Sequence, residues 1–201
     1  MRQRWSVIHL LPVALLCVVA LAARGASAQD PNAPSPVPAA AAGSCVTPAC
    51  HETMGKARYV HGPVAVGECL GCHAPVNEAE MYDSKKHRFT LALGERELCY
   101  MCHERVDTQK TVHGPVRFGL CTACHDPHQS PYRYRLKKTP ISQLCFQCHV
   151  NDKTMESEVH GPVAAGDCVA CHDPHTSPFN YRLVKQGPDL CYTCHTEKKE
   201  E

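Results

Sequence analysis

The chain has 201 residues, a formal net charge of +1 and 43% hydrophobic residues, which is room for one ordinary domain or for several small modules. Much of the hydrophobic fraction lies in the first 28 residues, in alanine and in the 15 cysteines. From Gln29 onward only about 16% of the residues are Leu, Ile, Val or Phe, which is below the level at which a chain builds its own core. An ordinary globular domain is excluded unless another group supplies the apolar interior.

The first residues have the order of an export signal. Arg2 and Arg4 precede an apolar run at residues 7–23, and Ala26-Ser27-Ala28 provides small residues for cleavage. We therefore predict a signal peptide at residues 1–28 and an exported protein, most simply periplasmic, with an extracellular location also open. A permanent membrane anchor is the alternative, but the run contains a histidine and a proline and falls short of about 20 clean apolar residues.

Six copies of the motif Cys-x-x-Cys-His follow in tandem. This is the attachment motif of c-type haem, in which two thiols bind the porphyrin and the adjacent histidine ligates the iron. The residues between the cysteines vary, so only the three reactive groups are constant. The copies are Cys69, Cys72 and His73; Cys99, Cys102 and His103; Cys121, Cys124 and His125; Cys145, Cys148 and His149; Cys168, Cys171 and His172; and Cys191, Cys194 and His195.

Zinc ribbons and redox dithiols are the alternatives for such cysteine pairs. A zinc site takes four ligands from two pairs and gives no reason for a histidine after every second cysteine. A thioredoxin-like dithiol needs a single motif at the start of a helix. Six tandem copies therefore favour haem.

A seventh site precedes these six. Cys45, Cys50 and His51 repeat the arrangement with four residues between the thiols instead of two, a wider spacing that some multihaem cytochromes use. With this site the sequence predicts seven covalent haems and assigns all 14 cysteines that follow the predicted signal peptide; without it the number is six. The alternative is a disulfide between Cys45 and Cys50, with His51 free.

The chain also repeats internally. His103, His149 and His195 are each 46 residues apart, so one repeat holds two motifs. A His-Gly-Pro-Val element stands eight residues before every second motif, and Cys-His-Asp-Pro-His, followed by Ser-Pro and Tyr-Arg-Leu, occurs twice. In the first repeat Val76 replaces the second histidine of that element, and we expect His87 to substitute for it.

Six further histidines occupy repeat positions, and we predict that they are distal axial ligands on the ring face opposite the motif histidine. His128 and His175 stand only three residues after a motif histidine. That span is too short to reach the opposite face of the same haem, so each must serve a neighbouring haem. The six predicted ligands are His61, His87, His113, His128, His160 and His175.

Seven irons and six distal histidines leave one iron without a histidine partner. The sequence does not show which one, because the ligands cross between repeats. A methionine, a histidine from another protein, or an open position would each account for it. The methionine candidates are Met54, Met81, Met155 and, least favourably because it lies inside a motif, Met101.

The doubled motifs resemble those of multihaem c-type cytochromes, a group that includes small tri- and tetrahaem proteins and longer decahaem conduit proteins. The resemblance covers residues 45–195. It implies closely packed, mainly bis-histidine haems of low potential in a mostly irregular chain with short α-helices and little or no β-structure. The predicted divisions are a signal peptide at 1–28, a Pro/Ala-rich linker at 29–44 and a heptahaem cytochrome domain at 45–201, with two-haem units at about 45–98, 99–144 and 145–201.

Haem would take the place of the missing Leu and Ile by burying its own apolar surface, so we expect the apoprotein to be largely unfolded. Short helices are expected after most motifs. Gly62, Gly114 and Gly161 each precede a proline and suit tight turns. The Tyr-Arg motifs at residues 132–135 and 181–182 either hold haem propionates or are solvated loop charges.

The net charge of the mature chain points to protein partners. From Gln29 onward there are 18 basic and 20 acidic residues, and seven haems would bring the holoprotein to roughly −9 when oxidised. Nucleic acid is thereby disfavoured, and redox proteins with basic docking patches are favoured: membrane quinol-oxidising or outer-membrane cytochromes, and reductases. We expect an electron carrier and not an enzyme. A multihaem reductase using the ligand-deficient haem, and a self-assembled extracellular filament, are the alternatives.

Overall fold

A computed structural model describes residues 45–150 and 158–199. The predicted signal peptide at 1–28 and linker at 29–44 lie outside the described residues. Short helices and strands alternate with irregular chain, as the sequence analysis predicted. No helix within the two described stretches combines the length and the hydropathy needed to cross a bilayer.

The helices of the described residues are all short. The α-helices are α1 (Gly62–Ala65), α2 (Glu95–Tyr100), α3 (Gly114–Arg117), α4 (Ser142–Cys145), α5 (Gly161–Ala164) and α6 (Pro188–Cys191). The 3-10 helices are Cys69–Gly71, Glu78–Glu80, Cys121–Ala123, Arg133–Arg135, Cys168–Ala170, Asn180–Arg182 and Thr196–Lys199. Helices of this length are not stable alone in water, so tertiary contacts must hold them.

Six strands of two or three residues occur in the described residues: β1 (Tyr59–Val60), β2 (His73–Pro75), β3 (Phe89–Leu91), β4 (Thr111–Val112), β5 (Gln129–Ser130) and β6 (Thr176–Ser177). They form three separate antiparallel pairs, β1 with β5, β2 with β3, and β4 with β6. The first and last pairs join one repeat to the next. The prediction of a mostly irregular fold with little β-structure is confirmed.

Each regular motif from the third site onward forms a helical turn closed by its histidine. The backbone N–H of His103 donates to the carbonyl of Cys99 at 3.0 Å, and His172 does the same to Cys168 at 3.0 Å. The second, fourth and sixth sites are 3-10 helices, whereas the third, fifth and seventh lie at the end of an α-helix. Most helices therefore contain a motif or lead into one, whereas the sequence analysis expected them after the motifs. A helical turn through the motif brings its two thiols to one face.

The described residues have almost no core of their own. Val60 and Leu144 are the only buried apolar side chains among them, and no described side chain is less than 2% exposed. Large apolar side chains near the motifs are exposed, among them Phe118 at 74% and Leu120 at 50%. The low Leu and Ile content predicts this, and the exposed side chains suit packing against an apolar group held by the motifs.

The tight turns lie at other glycines than predicted. The predicted positions, Gly62, Gly114 and Gly161, are instead the first residues of α1, α3 and α5. Gly67, Gly119 and Gly166, which follow these helices, have left-handed backbone instead. The prediction was wrong because proline is as typical of the first turn of a helix as of a tight turn.

We expect Gly166→Ala to destabilise the protein more than Gly67→Ala. Both glycines are left-handed, with φ of +71° and +78°, a conformation that costs a residue with a side chain about 1–2 kcal/mol. A Cβ at Gly166 would lie 2.8 Å from Ser142 Oγ, whereas at Gly67 it meets nothing within 4 Å. The free energy of unfolding of the holoprotein should fall by roughly 1 kcal/mol more for Gly166→Ala, as measured by denaturant titration. Equal losses would contradict the close packing at Ser142.

Candidate haem-binding site

The histidines of the described residues form six ring-to-ring pairs. Each pair joins one motif histidine to one of the six predicted distal histidines. In five pairs the ring planes are within 26° of parallel, with ring centroids 5.8–6.2 Å apart. These five are His61 with His103, His73 with His128, His113 with His149, His125 with His175, and His160 with His195.

In the pair best defined by its atoms, the rings meet through their nitrogens instead of stacking face to face. The Nε2 atoms of His73 and His128 are 3.5 Å apart and the ring centroids 5.8 Å apart. Half the difference between these two distances is about 1.15 Å, which is the distance from the centre to an atom of a five-membered ring with bonds of about 1.35 Å. Both Nε2 atoms therefore lie on the line between the centroids. Because metal–imidazole bonds are about 2 Å long, an iron between the rings needs Nε2 atoms about 4 Å apart, close to the observed separation.

The pairs follow the repeat in two ways. When each repeat is counted from its His-Gly-Pro-Val histidine, the motif histidines of the third, fifth and seventh sites face the His-Gly-Pro-Val histidine of their own repeat. His73 and His125, at the second and fourth sites, face His128 and His175 of the following repeat. His128 thus lies opposite a histidine of another motif and not opposite His125, three residues before it.

Backbone pairing between repeats brings these rings together. Next to the β1–β5 pair, the backbone N–H of His61 donates to the carbonyl of His128 at 2.8 Å. The ring of His61 also donates from Nδ1 to the carbonyl of Pro127 at 2.8 Å. The matching contacts beyond β4–β6 run from His113 to His175 and to Pro174, each at 2.9 Å.

The first site departs from both patterns. His51 faces His87, with ring centroids 6.0 Å apart and ring planes at 70°. His87 is the histidine expected to substitute for the one lost at Val76, and its Nδ1 donates to the carbonyl of Asp83 at 2.9 Å. Cys45 and Cys50 are both free thiols. The wide-spaced motif therefore has its own opposing histidine.

No histidine of the described residues faces His172, the motif histidine of the sixth site. Its ring is nevertheless held as that of His125 is. Nδ1 of His125 donates to the carbonyl of Tyr134 and Nδ1 of His172 to that of Tyr181, both at 2.8 Å. Such a bond leaves Nε2 as the nitrogen available to a metal. Met155, one candidate for the missing ligand, lies outside the described residues.

The two carbonyls that orient these rings come from unusual turns. Tyr134 and Tyr181 both have φ of 57°, and the arginine after each is also left-handed, which is rare for residues other than glycine. Buried Ser130 and Ser177 hold the turns: each hydroxyl donates to a leucine carbonyl at 2.6 Å and accepts a backbone N–H at 3.0 Å. The repeated Ser-Pro and Tyr-Arg-Leu were the sequence signal for this role, but sequence reasoning did not assign it.

Cysteines of successive motifs lie close together. Burial and then the neighbouring thiol of Cys121 raise the pKa of Cys99 to about 11. Burial and Cys168 act in the same way on Cys145. From the first to the sixth, sites adjacent in sequence are therefore adjacent in space. Within the described residues no three His, Cys, Asp or Glu side chains gather as a zinc-type cluster would require.

Arg135 places a cation beside His61. Its Nε is buried without a hydrogen-bond partner among the described residues. Burial, and then the charge of Arg135, lower the pKa of His61, which favours the neutral imidazole that binds metals. A propionate of a haem ligated by His61 would satisfy Arg135. The thiols, the facing imidazoles and this arginine therefore fit haem.

The comparison with known families agrees with this site. The doubled CXXCH motif family matches residues 61–108, 113–154 and 160–200, more than half of the chain. The chain therefore belongs to the doubled CXXCH motif family, whose motifs indicate covalently bound c-type haem. It is also similar to multiheme cytochrome MtrA of Shewanella baltica (strain OS185), with 32% identity over 63 residues. That match covers 29% of this chain and 19% of the relative, so the chain spans about one fifth of that protein's length.

Ser130→Ala is expected to lower the free energy of unfolding of the holoprotein by about 1–3 kcal/mol, because it leaves a part-buried carbonyl and N–H without their partner. Ser84→Ala, at an exposed position, is the control and should change it by less than about 0.5 kcal/mol. Chemical denaturation followed by the haem absorbance measures both. Similar values for the two variants would show that the Ser130 hydroxyl does not hold the turn.

Proposed function

We propose that the protein carries electrons along a row of seven covalent haems, with irons held between two histidines at every site but the sixth. The observation that carries this proposal is the set of six ring pairs, each combining a motif histidine with a predicted distal histidine. When bound, the haems supply reversible one-electron chemistry at iron. The proximity of cysteines in successive motifs supports a continuous row from the first to the sixth site.

The chain's own residues favour transfer over substrate conversion. Two histidines saturate an iron and leave no position for a substrate, and histidine ligation in partly exposed sites gives low potentials. Arg135 would hold a propionate and fix the ring edge beside His61. A multihaem reductase is the second candidate, because His172 has no facing histidine among the described residues.

The proposal includes export and redox protein partners. The basic, apolar and small-residue order of residues 1–28 supports export, most simply to the periplasm. The similarity to a multiheme cytochrome supports other haem proteins as partners. The acidic balance of the mature chain, increased by propionates, favours partners with basic docking patches.

The purified holoprotein is expected to carry seven haems. Intact-mass spectrometry of the wild type and of a Cys45→Ser/Cys50→Ser variant measures this, and the variant should carry one haem fewer. Seven haems in the wild type and six in the variant would assign the seventh to the wide-spaced motif. Six haems in both would contradict the first site.

His128→Met is expected to raise the potential of one haem, because thioether ligation favours ferrous iron. A spectroscopic redox titration measures the shift, and Gln109→Met, at an exposed position, is the control and should leave every potential unchanged. The variant places a high-potential haem second in the row. Electron transfer from the reduced protein to a soluble acceptor cytochrome should therefore slow.

The same preparation separates carrier from enzyme. A carrier delivers its electrons to the acceptor cytochrome and does not turn over nitrite, hydroxylamine or tetrathionate. Multi-electron turnover of one of these substrates by the purified protein would contradict the carrier function and favour the reductase.

A further inference from the structure

Among the described residues, the third repeat lacks contacts that the first two repeats make. In the first repeat His61 and His73 both contact the Asp-Pro-His segment of the next repeat: His61 through its N–H and Nδ1, and His73 through the facing ring of His128. In the second repeat His113 and His125 make the same contacts to the segment around His175 of the third repeat. One short segment thus supplies a carbonyl partner to one histidine and a facing ring to another.

The corresponding residues of the third repeat are Glu158, Val159, His160 and His172. Each His-Gly-Pro-Val histidine follows a valine, but the Val60 and Val112 copies are in strands whereas Val159 pairs with no strand of the described residues. His160 and His172 are exposed, while their counterparts in the first two repeats are half-buried. We call these four residues the open face.

Both histidines of the open face are already oriented as in a repeat that has its partner segment. The Nδ1 of His172 already donates to the carbonyl of Tyr181, the bond that His125 makes in a completed repeat. His160 already faces His195, at a centroid separation of 6.2 Å. What the face lacks, within the described residues, is a strand beside Val159, a carbonyl at the Nδ1 of His160 and a ring opposite His172.

We propose that the open face binds an extended segment of a second, different protein that carries the sequence Pro-His-x-Ser, and that the histidine of this segment lies opposite His172. The segment adds a strand beside Glu158 and Val159, as in other complexes where a peptide extends a sheet edge. This inference rests on the proposed haem row. It turns the sixth haem into the point at which the row continues into a partner.

Histidine numbers argue against a second copy of this chain as the occupant. Residues 45–201 contain thirteen histidines, while seven irons with two histidines each need fourteen. Assembly of identical chains leaves that ratio unchanged. At the other end of the array, His87 is already opposite His51, and Val76 stands where a further ligand would be. A head-to-tail contact between copies therefore has no histidine to offer.

The test uses the full holoprotein and a capped synthetic peptide with the sequence of residues 173–183. Electron paramagnetic resonance of the oxidised protein alone should show one high-spin haem and six low-spin haems. The peptide should convert the high-spin signal to low-spin, and its His175→Ala version should not. Imidazole should produce the same conversion, with an affinity at least about tenfold weaker, because it lacks the strand contacts.

A variant locates the binding at the open face. Glu158→Pro removes the backbone N–H at the position matched to Tyr59 and Thr111, so it should weaken peptide binding at least about tenfold and leave imidazole binding unchanged. Glu158→Gln, which keeps the N–H, is the matched control and should bind the peptide as the wild type does. Equal peptide affinity in both variants would overturn the strand contact.

Other results would overturn the proposal and keep the haem row. A histidine–methionine spectrum at the sixth haem would assign its ligand to a methionine, and loss of the high-spin signal as the pure protein self-associates would assign it to a second copy. Equal effects of the peptide and its His175→Ala version would remove the histidine from the binding. If the six low-spin signals are missing as well, the proposed function itself fails.

Discussion

The meeting of two imidazoles from distant parts of the chain is the interaction on which the rest of the structure depends. From the third site onward a motif histidine is fixed by a helical turn of five residues, but the ring opposite each paired motif histidine comes from another segment of the chain. His73 and His128, for example, are separated by 55 positions. The short strand pairs and the turns at Tyr134 and Tyr181 have a common effect, which is to bring such rings together and keep them oriented.

This interaction explains why so poor a core is sufficient. Few apolar side chains are buried in the described residues, and helices of four to six residues do not persist by themselves. Haems held by the motifs would bring large apolar surfaces to them, and paired histidines would join segments of different repeats across them. Folding would then be coupled to haem attachment, in the way that metal binding supplies the folding energy of small metalloproteins.

The array has two different ends. At the first site, the wide-spaced motif and His87 close the row with rings at 70° instead of the near-parallel arrangement of the repeats. At the third repeat, His172 is oriented by Tyr181 but faces no histidine of the described residues. Each repeat, counted from its His-Gly-Pro-Val histidine, has one motif histidine whose facing ring comes from the next repeat. The two ends of the array differ because the last repeat has no following repeat among the described residues. In the proposed electron row, one closed and one open end would suit transfer to a docked partner.

The sequence by itself determined the motifs, the repeat and the set of thirteen candidate histidines, because haem attachment depends on groups a few residues apart, and it predicted the shortage of one distal ligand. It also determined the poor core, which composition alone reveals. Only the tertiary structure decided which histidine faces which, that the sixth site faces no histidine of the described residues, and that Ser130 and Ser177 support the orienting turns. These features depend on strand pairing between repeats and on left-handed backbone at tyrosine and arginine, and no local spacing encodes either.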